Sequence, residues 1–384
     1  MPVINVALGQ YGELFLLLAG ITYSVAFCAF TWDLVSSSRL TRSLAAQSAQ
    51  DQAARDQAGQ DQQFQGQAAR ERQLVSAAVT AGSSADDARG NDAGAGDSRV
   101  NGVTSGLAER PLSNSGSGTV LEADESMKYV GARRPAARIG VSITLLAVLL
   151  HGAAVVLRGL AAGRVPWGNM FEFCTTGSFL VAAVFLIVLT RRDLRFLGTF
   201  VIGLVLVMLF AASSAFYVPA AHLVPALQSY WLVIHVSIAV LSSAIFTLTF
   251  AMGVLQLVQT WRSRSLAQGK PDKLPFMRLV PSALSLENLS YRLNALAFVG
   301  WTLTLIFGAM WAEKAWGRYW GWDTKEVWTF VIWVVYAGYL HARATRGWTG
   351  TRAAVLSITG YLCVIVNFTL VNTVFQGLHS YSGV

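Results

Sequence analysis

About eight runs of roughly twenty mostly apolar residues constrain this chain more than any other feature. They lie near residues 13–35, 137–158, 170–190, 196–214, 231–258, 292–312, 326–342 and 353–375. A helix rising about 1.5 Å per residue needs about 20 residues to cross a hydrocarbon layer about 30 Å thick. Hydrocarbon offers the backbone no hydrogen-bond partners, so each run must satisfy its own amides and carbonyls, as a helix does. The expected fold is all-α: a polytopic transmembrane helical bundle.

Composition supports this reading. Charged residues make up 13% of the chain and hydrophobic ones 54%, whereas soluble domains carry about 25% charged residues. Ionised side chains are costly in lipid, so spans exclude them. The net charge of +8 would suit nucleic acid if the basic residues formed a patch. Instead they fill short connections between apolar runs: Arg191, Arg192 and Arg195; Arg262, Arg264, Lys270, Lys273 and Arg278; Arg343, Arg346 and Arg352; and Arg133, Arg134 and Arg138 before the second run. These regions alternate along the chain, so by the positive-inside rule all four are expected to be cytoplasmic, and the partner is the lipid bilayer, not nucleic acid. Segments 159–169, 215–230, 313–325 and 376–384 then face outward. Lys314, Arg318 and Lys325 make the third of these a basic exception to the rule.

Three regions follow: 1–42, holding the first span; 43–128, an insertion; and 129–384, the multi-span part. The insertion is rich in Gln, Ala, Gly, Ser and Asp. With so few apolar anchors it is expected to be disordered on the cytoplasmic side, its Gln/Ala-rich part forming at most a transient helix. The first apolar run is too long for a cleavable signal peptide and follows no basic residue, so none is expected. Cys28, Cys174 and Cys363 each stand alone at or within apolar runs, with no CxxC pair for dithiol redox chemistry or zinc.

Chemistry concentrates in WAEKAWGRYWGWDTKEVW, residues 311–328. Trp311, Trp316, Trp320, Trp322 and Trp328 crowd one outer loop and its flanks. An interfacial girdle would spread such residues over many helix ends. Here they are gathered, with Asp323, Lys325 and Glu326 beside them. Such a surface suits a flat, aromatic, apolar ligand that carries charged substituents. His235, in SYWLVIHVSIAV, and His379, in GLHSYSGV, reach the same face, and neutral imidazole is a good ligand for iron.

Other groups are more ambiguous. His341, in YLHAR, lies near the opposite end of its span; it either ligates a metal there or sits at the interface beside Arg343. His151 lies within a span and ranks behind the other three, because one hydrogen bond accommodates a neutral imidazole. His222 reads as a solvated loop residue. Arg158, Arg164, Trp167, Asn169 and Glu172 form a further outer cluster, in which arginine either pairs with a ligand carboxylate or snorkels to the interface.

The run WGRYWGWDTKEVW resembles the WWD signature of haem-handling membrane proteins. The longer stretch through YLHAR, together with VPWGNMFEF, LVPALQSYWLVIHV and GLHSYSG, most resembles the CcsA/ResC family of cytochrome c biogenesis. The likeness runs from about residue 137 onward and excludes the insertion. Thr324 stands where the family commonly has proline, a change expected to loosen the turn.

The resemblance implies that haem b is bound as substrate, with His235 and His379 as its axial ligands. Trp316, Trp320, Trp322, Asp323 and Trp328 would be the platform, and His341 part of an inner haem site. Its opposite ligand would come from a CcsB/ResB-type partner. The resemblance further implies delivery of haem across an inner or plasma membrane and thioether attachment to apocytochrome c, with thiol-reducing proteins of the outer compartment as further partners. The alternative it leaves is a transporter that hands haem to a carrier without ligating it to a cytochrome. A permease for another solute would show broken helices or midplane charge, and a structural subunit would leave the Trp loop and its two histidines without a role.

Overall fold

A computed structural model describes residues 4–83, 125–127, 134–345, 347–375 and 377–379. The described residues are mostly helical, with no strand among them. The helices are α1 (Val6–Ser83), α2 (Pro135–Ala162), α3 (Met170–Leu189), α4 (Gly198–Ala215), α5 (Tyr230–Ala267), α6 (Ala283–Trp316), α7 (Thr324–Thr345), α8 (Thr351–Phe368) and the short α9 (Leu370–Thr373). Three 3-10 turns, Arg195–Leu197, Pro225–Leu227 and Pro275–Leu279, lie between them. Among the described residues seven helices are long and apolar enough to cross a membrane, α1 over Val6–Leu40. This is a multi-pass membrane protein. The eighth expected run forms helix α7, 22 residues long, which is not among those seven. Lys325 and Glu326 at one end and His341 and Arg343 at the other lower its hydropathy, and it packs against α6 and α8.

Local chemistry sets the helix ends. Asn169, Ser229 and Ser282 cap α3, α5 and α6, their side-chain oxygens accepting from Glu172, Trp231 and Ser285 amides. Pro135 opens α2, where its missing N–H is not needed. The outward stripe of α2 is apolar: Leu145, Leu149, Val156 and Leu160 are each more than half exposed. Lipid, not protein, is the expected neighbour of such a stripe.

The chain divides into two units, 1–41 with 121–384, and 42–120. In the first unit, Phe246 stacks on Tyr336 at 3.8 Å and meets Trp301 edge-on, joining α5, α6 and α7. The second unit holds most of the insertion. Residues 43–83, expected to be disordered apart from a transient helix, continue α1 as helix. Every side chain from 49 to 76 is exposed. Alanine, glutamine and arginine have good helix propensity, but no apolar stripe here gives the helix a packing partner. Residues 84–124 of the insertion lie outside the described residues. Its last part packs on the bundle: Met127 is 4% exposed, and its carbonyl accepts from Asp193 N at 2.7 Å. The Glu125 carboxylate accepts from Ser282 N at 3.2 Å at the start of α6.

The connections rich in arginine gather at one end of the bundle. There Asp33, 2% exposed, accepts from the Arg134 guanidinium and from Ala137 N, which ties α1 to α2. Glu287 accepts from Arg343, from Gly350 N at 2.8 Å and from Gln256 Nε2 at 3.1 Å, so one carboxylate joins α5, α6, α7 and the start of α8. Asp272 accepts from Arg262 at 2.7 Å and Arg278 at 3.1 Å, and the Arg262 contact first of all holds its carboxyl at about 2.

Candidate functional site

The other end of the bundle carries the tryptophan-rich connection between α6 and α7. A cavity of about 430 Å³ extends from this end down between α3, α4, α5, α6 and α8. Its walls are mostly apolar. His235 and His379 both line it, with Trp311, Trp320, Lys325 and Glu326.

His235 lies in the second turn of α5. Its Nδ1 is 2.9 Å from the Thr304 carbonyl oxygen of α6. Thr304, Gly308 and Trp311 recur at helical spacing and so share the face of α6 that meets this ring. The ring stacks on Trp311 at 5.9 Å and 15°. A Cβ on Gly308 would come within 2.7 Å of His235 Cε1, so only glycine leaves the imidazole its place. Trp311 is 2% exposed, and its indole N–H donates to the Ala226 carbonyl at 3.0 Å, which fixes the ring.

His379 comes from the chain beyond α9. Its ring meets Trp311 edge-on at 5.4 Å and Trp316 at 4.9 Å. Trp311 thus touches both histidines. His379 Nδ1 lies 3.0 Å from Asp323 Oδ1. Asp323 Oδ2 accepts from Leu378 N at 2.8 Å, and a Cβ on Gly377 would fall 2.3 Å from that oxygen. The His379 hydrogen bond, followed by the Lys325 and Leu378 amides, holds the Asp323 carboxyl at about 2.

These partners determine the tautomers. A carbonyl and a carboxylate can only accept, so both Nδ1 atoms carry the proton. In the neutral ring each Nε2 then has a lone pair, the form in which imidazole binds a metal. The carboxylate behind His379 and the carbonyl behind His235 also fix the orientation of each ring.

The loop that supplies Asp323 is built by reciprocal capping. Asp323 Oδ1 accepts from Lys325 N at 2.9 Å, while Glu326 Oε2 accepts from Asp323 N at 3.1 Å and Gly321 N at 2.8 Å. This is a capping box, worth about 0.5–2 kcal/mol for its first half alone. Gly317 ends α6 with φ +71, and Trp322 is held at φ +58, a region that non-glycine residues seldom occupy. Thr324 opens α7 at the position that suits proline.

The remaining candidates are distributed as follows. Trp320 lines the cavity and meets Trp322 edge-on at 5.9 Å. Trp322 itself is 75% exposed. Trp316 backs His379, and Trp328 lies in the first turns of α7; neither is among the lining residues. His341 is exposed near the arginine-rich end of α7, away from the cavity. His222 is exposed. His151 is fully buried among α1, α2 and α3, its Nδ1 3.4 Å from Tyr23 Oη and its ring edge-on to Phe179. Its Nε2 is buried without a hydrogen-bond partner among the described residues.

The outer cluster closes on itself. Glu172, 0% exposed, accepts from Arg158 Nε at 3.0 Å, from Arg164 at 2.7 Å and from Gly168 N at 2.8 Å. The same guanidinium groups donate to the Val218 and Ala221 carbonyls. Both guanidinium groups thus have partners inside the protein, and one carboxylate against two arginines leaves the cluster a net positive charge. Trp167 lines the cavity.

Sequence reasoning passed over Trp311 as a residue apart from the loop, and with it Thr304 and Gly308. Their spacing of four and three residues on α6 was the available signal, but it becomes meaningful only once α5 is known to pack there.

Among the described residues no cluster of three or more His, Cys, Asp or Glu side chains could hold a bare metal ion. Two imidazoles on one apolar cavity, by contrast, suit a metal that brings its own flat set of in-plane ligands and needs only axial ones. The cavity volume is also within the range of sites for small molecules and cofactors.

The model of a family described as cytochrome C assembly protein matches residues 167–379, so its limits coincide with Trp167 and His379 of this cavity. The cytochrome c biogenesis protein CcsA of Synechococcus elongatus is 35% identical over 284 residues, 63% of this chain and 87% of the relative. CcsA of Prochlorococcus marinus is 36% identical over 271 residues, 62% of this chain and 82% of the relative. CcsA of Chlamydomonas reinhardtii is 32% identical over 282 residues, 71% and 75% of the two chains.

Proposed function

This chain belongs to the cytochrome c assembly protein family, with a role in cytochrome c maturation in a membrane, and from that premise we propose that it receives haem b as substrate and presents it at the tryptophan-rich face for attachment to an apocytochrome. The observation that carries the reading is the pair of histidines, both with Nε2 free, on one cavity. His235 and His379 take the two axial positions of the iron. Trp311, Trp316 and Trp320 form the aromatic surround, while Asp323 holds His379 in the ligating tautomer.

The tryptophan-rich face is the outer one, by the alternation of basic connections. In the assembled synthase a CcsB/ResB-type subunit is the partner, and the exposed His341 at the opposite end supplies one ligand of an inner haem site whose second ligand belongs to that partner. Thiols of a CxxCH segment, kept reduced by proteins of the outer compartment, add across the haem vinyl groups: each S–H gives its sulfur to one vinyl carbon and a proton to the other. Bringing thiol and vinyl together supplies much of the rate, and no side chain of this chain is assigned as a general base.

The test is the visible spectrum of the purified chain, with and without its partner. Axial ligation by two histidines predicts a low-spin spectrum that His235→Ala and His379→Ala each alter and that added imidazole partly restores. Normal spectra and normal cytochrome c maturation in both variants would remove the assignment. Haem transfer to a carrier without attachment is the second reading; it predicts bound haem of the same kind and no thioether product when apocytochrome is supplied.

A further inference from the structure

The same cavity is lined by a lysine that, among the described residues, has no carboxylate in ion-pair contact. Lys325, partly buried in the first turn of α7, donates from Nζ to the Asn367 carbonyl at 2.7 Å and to Asn372 Oδ1 at 2.8 Å. An ammonium has three protons to donate. Among the described residues the third finds no acceptor, and no carboxylate lies within ion-pair distance. The nearby acids are engaged elsewhere. Asp323 is taken by His379, Lys325 N and Leu378 N, and Glu326 accepts from the Gly321 and Asp323 amides. Asn367 Oδ1 is an unpartnered acceptor on this wall, but it is neutral. A cation held among neutral acceptors in an apolar wall is costly unless an anion joins it.

A second unused donor lies on an adjoining wall. The Trp167 indole Nε1 is buried without a partner. Trp167 precedes the N-terminal turn of α3, and Met170 in that turn contacts Asn372 through Asn372 Nδ2 and Met170 Sδ at 3.3 Å. Asn372 is the residue that holds Lys325. Lys325, Trp167, His235 and His379 all line one cavity. Arg158 and Arg164 are not among the residues that line the cavity, and both guanidinium groups are bonded to Glu172.

We propose that Lys325 Nζ and the Trp167 indole N–H form a carboxylate subsite of this cavity, and that it takes a propionate of the haem whose iron His235 and His379 ligate. The inference rests on the haem reading above and adds the orientation of the ring: a propionate edge toward α3 and α8. A charge-assisted hydrogen bond on one side of a macrocycle fixes its rotation about the two histidines, and thereby which edge remains for the incoming thiols.

The full chain, purified in detergent, is titrated with haemin and with haemin dimethyl ester, in which both propionates are esterified. Wild type should favour the free acid by on the order of tenfold to a hundredfold. Lys325→Met should remove that preference while keeping a low-spin spectrum with either ligand. Lys325→Arg should retain most of it, and Trp167→Phe should reduce it in a protein whose helix contacts are otherwise intact. Equal binding of the two ligands by wild type would overturn the subsite and leave the haem reading standing, whereas binding of neither would overturn both. A preference retained in both Lys325→Met and Trp167→Phe would also overturn the subsite. If phosphatidylglycerol vesicles abolish the preference in wild type, the ammonium serves a lipid phosphate and the inference is wrong.

Discussion

The two ends of the bundle use the same residue types for opposite purposes. At the arginine-rich end the buried carboxylates of Asp33 and Glu287 are matched by Arg134 and Arg343, and each pair joins neighbouring helices. At the tryptophan-rich end the buried Glu172 instead holds two arginines. Asp323 receives a histidine, and Lys325 receives two neutral oxygens. A matched pair closes a surface, since neither partner has charge left for a third group. An unmatched arrangement leaves a lone pair or a proton directed at whatever enters. The difference marks one end as structural and the other as a site.

The comparison is broken most directly at the histidines. His379→Ala and His235→Ala should each abolish or strongly reduce bound haem in an absorbance titration, with imidazole as the rescuing ligand. Glu287→Ala is the matching change at the other end. Removing one partner of a buried ion pair costs about 3–5 kcal/mol, so chemical unfolding should show a large loss of stability, while the spectrum of the folded fraction should stay normal. A changed spectrum in Glu287→Ala would mean that the two ends are not separate in function.

Smaller changes sharpen the distinction. Asp323→Asn keeps the shape but weakens the bond that orients His379, and ligand affinity should fall by on the order of 10–100-fold, with a shifted reduction potential that His235-side changes such as Thr304→Val do not reproduce. The Asp323 carboxyl is held at about 2 by His379, below the ordinary value of about 4. A depressed carboxyl contributes stability that is complete above its unfolded value and lost as pH falls through its folded one. The stability gap between wild type and Asp323→Asn should therefore hold through the neutral range and shrink on acidification from about 4 toward 2. A gap that instead opened at low pH would contradict the contact.

His341→Ala should have a partial effect. In the assembled complex it should lower haem at the outer site, and haem supplied from outside should restore it, whereas His235→Ala should be restored poorly. Equal rescue would end the idea of sequential sites. The least effect is expected from deleting residues 45–120, which should leave haem binding unchanged. Extending the deletion through 127 should lower the melting temperature, because Glu125 and Met127 pack on the bundle.

Hydropathy and helical period are local properties, so the sequence by itself determined the membrane helices, the two faces and the presence of His235, His379 and the tryptophans at one of them. The Asp323-to-Glu326 capping box is equally local, its members three residues apart, although the sequence reading did not single it out. Contacts between distant segments depend on how each helix is rotated about its axis, and one residue of rotation is about 100°, a quantity that apolar runs facing lipid leave unspecified. Tertiary structure alone decided that Arg158 and Arg164 are spent on Glu172, that Trp311 touches both histidines while Trp322 is exposed, and that Asp323 pairs with His379, 56 residues away. Helix packing likewise left Lys325 on the cavity wall with a proton to give.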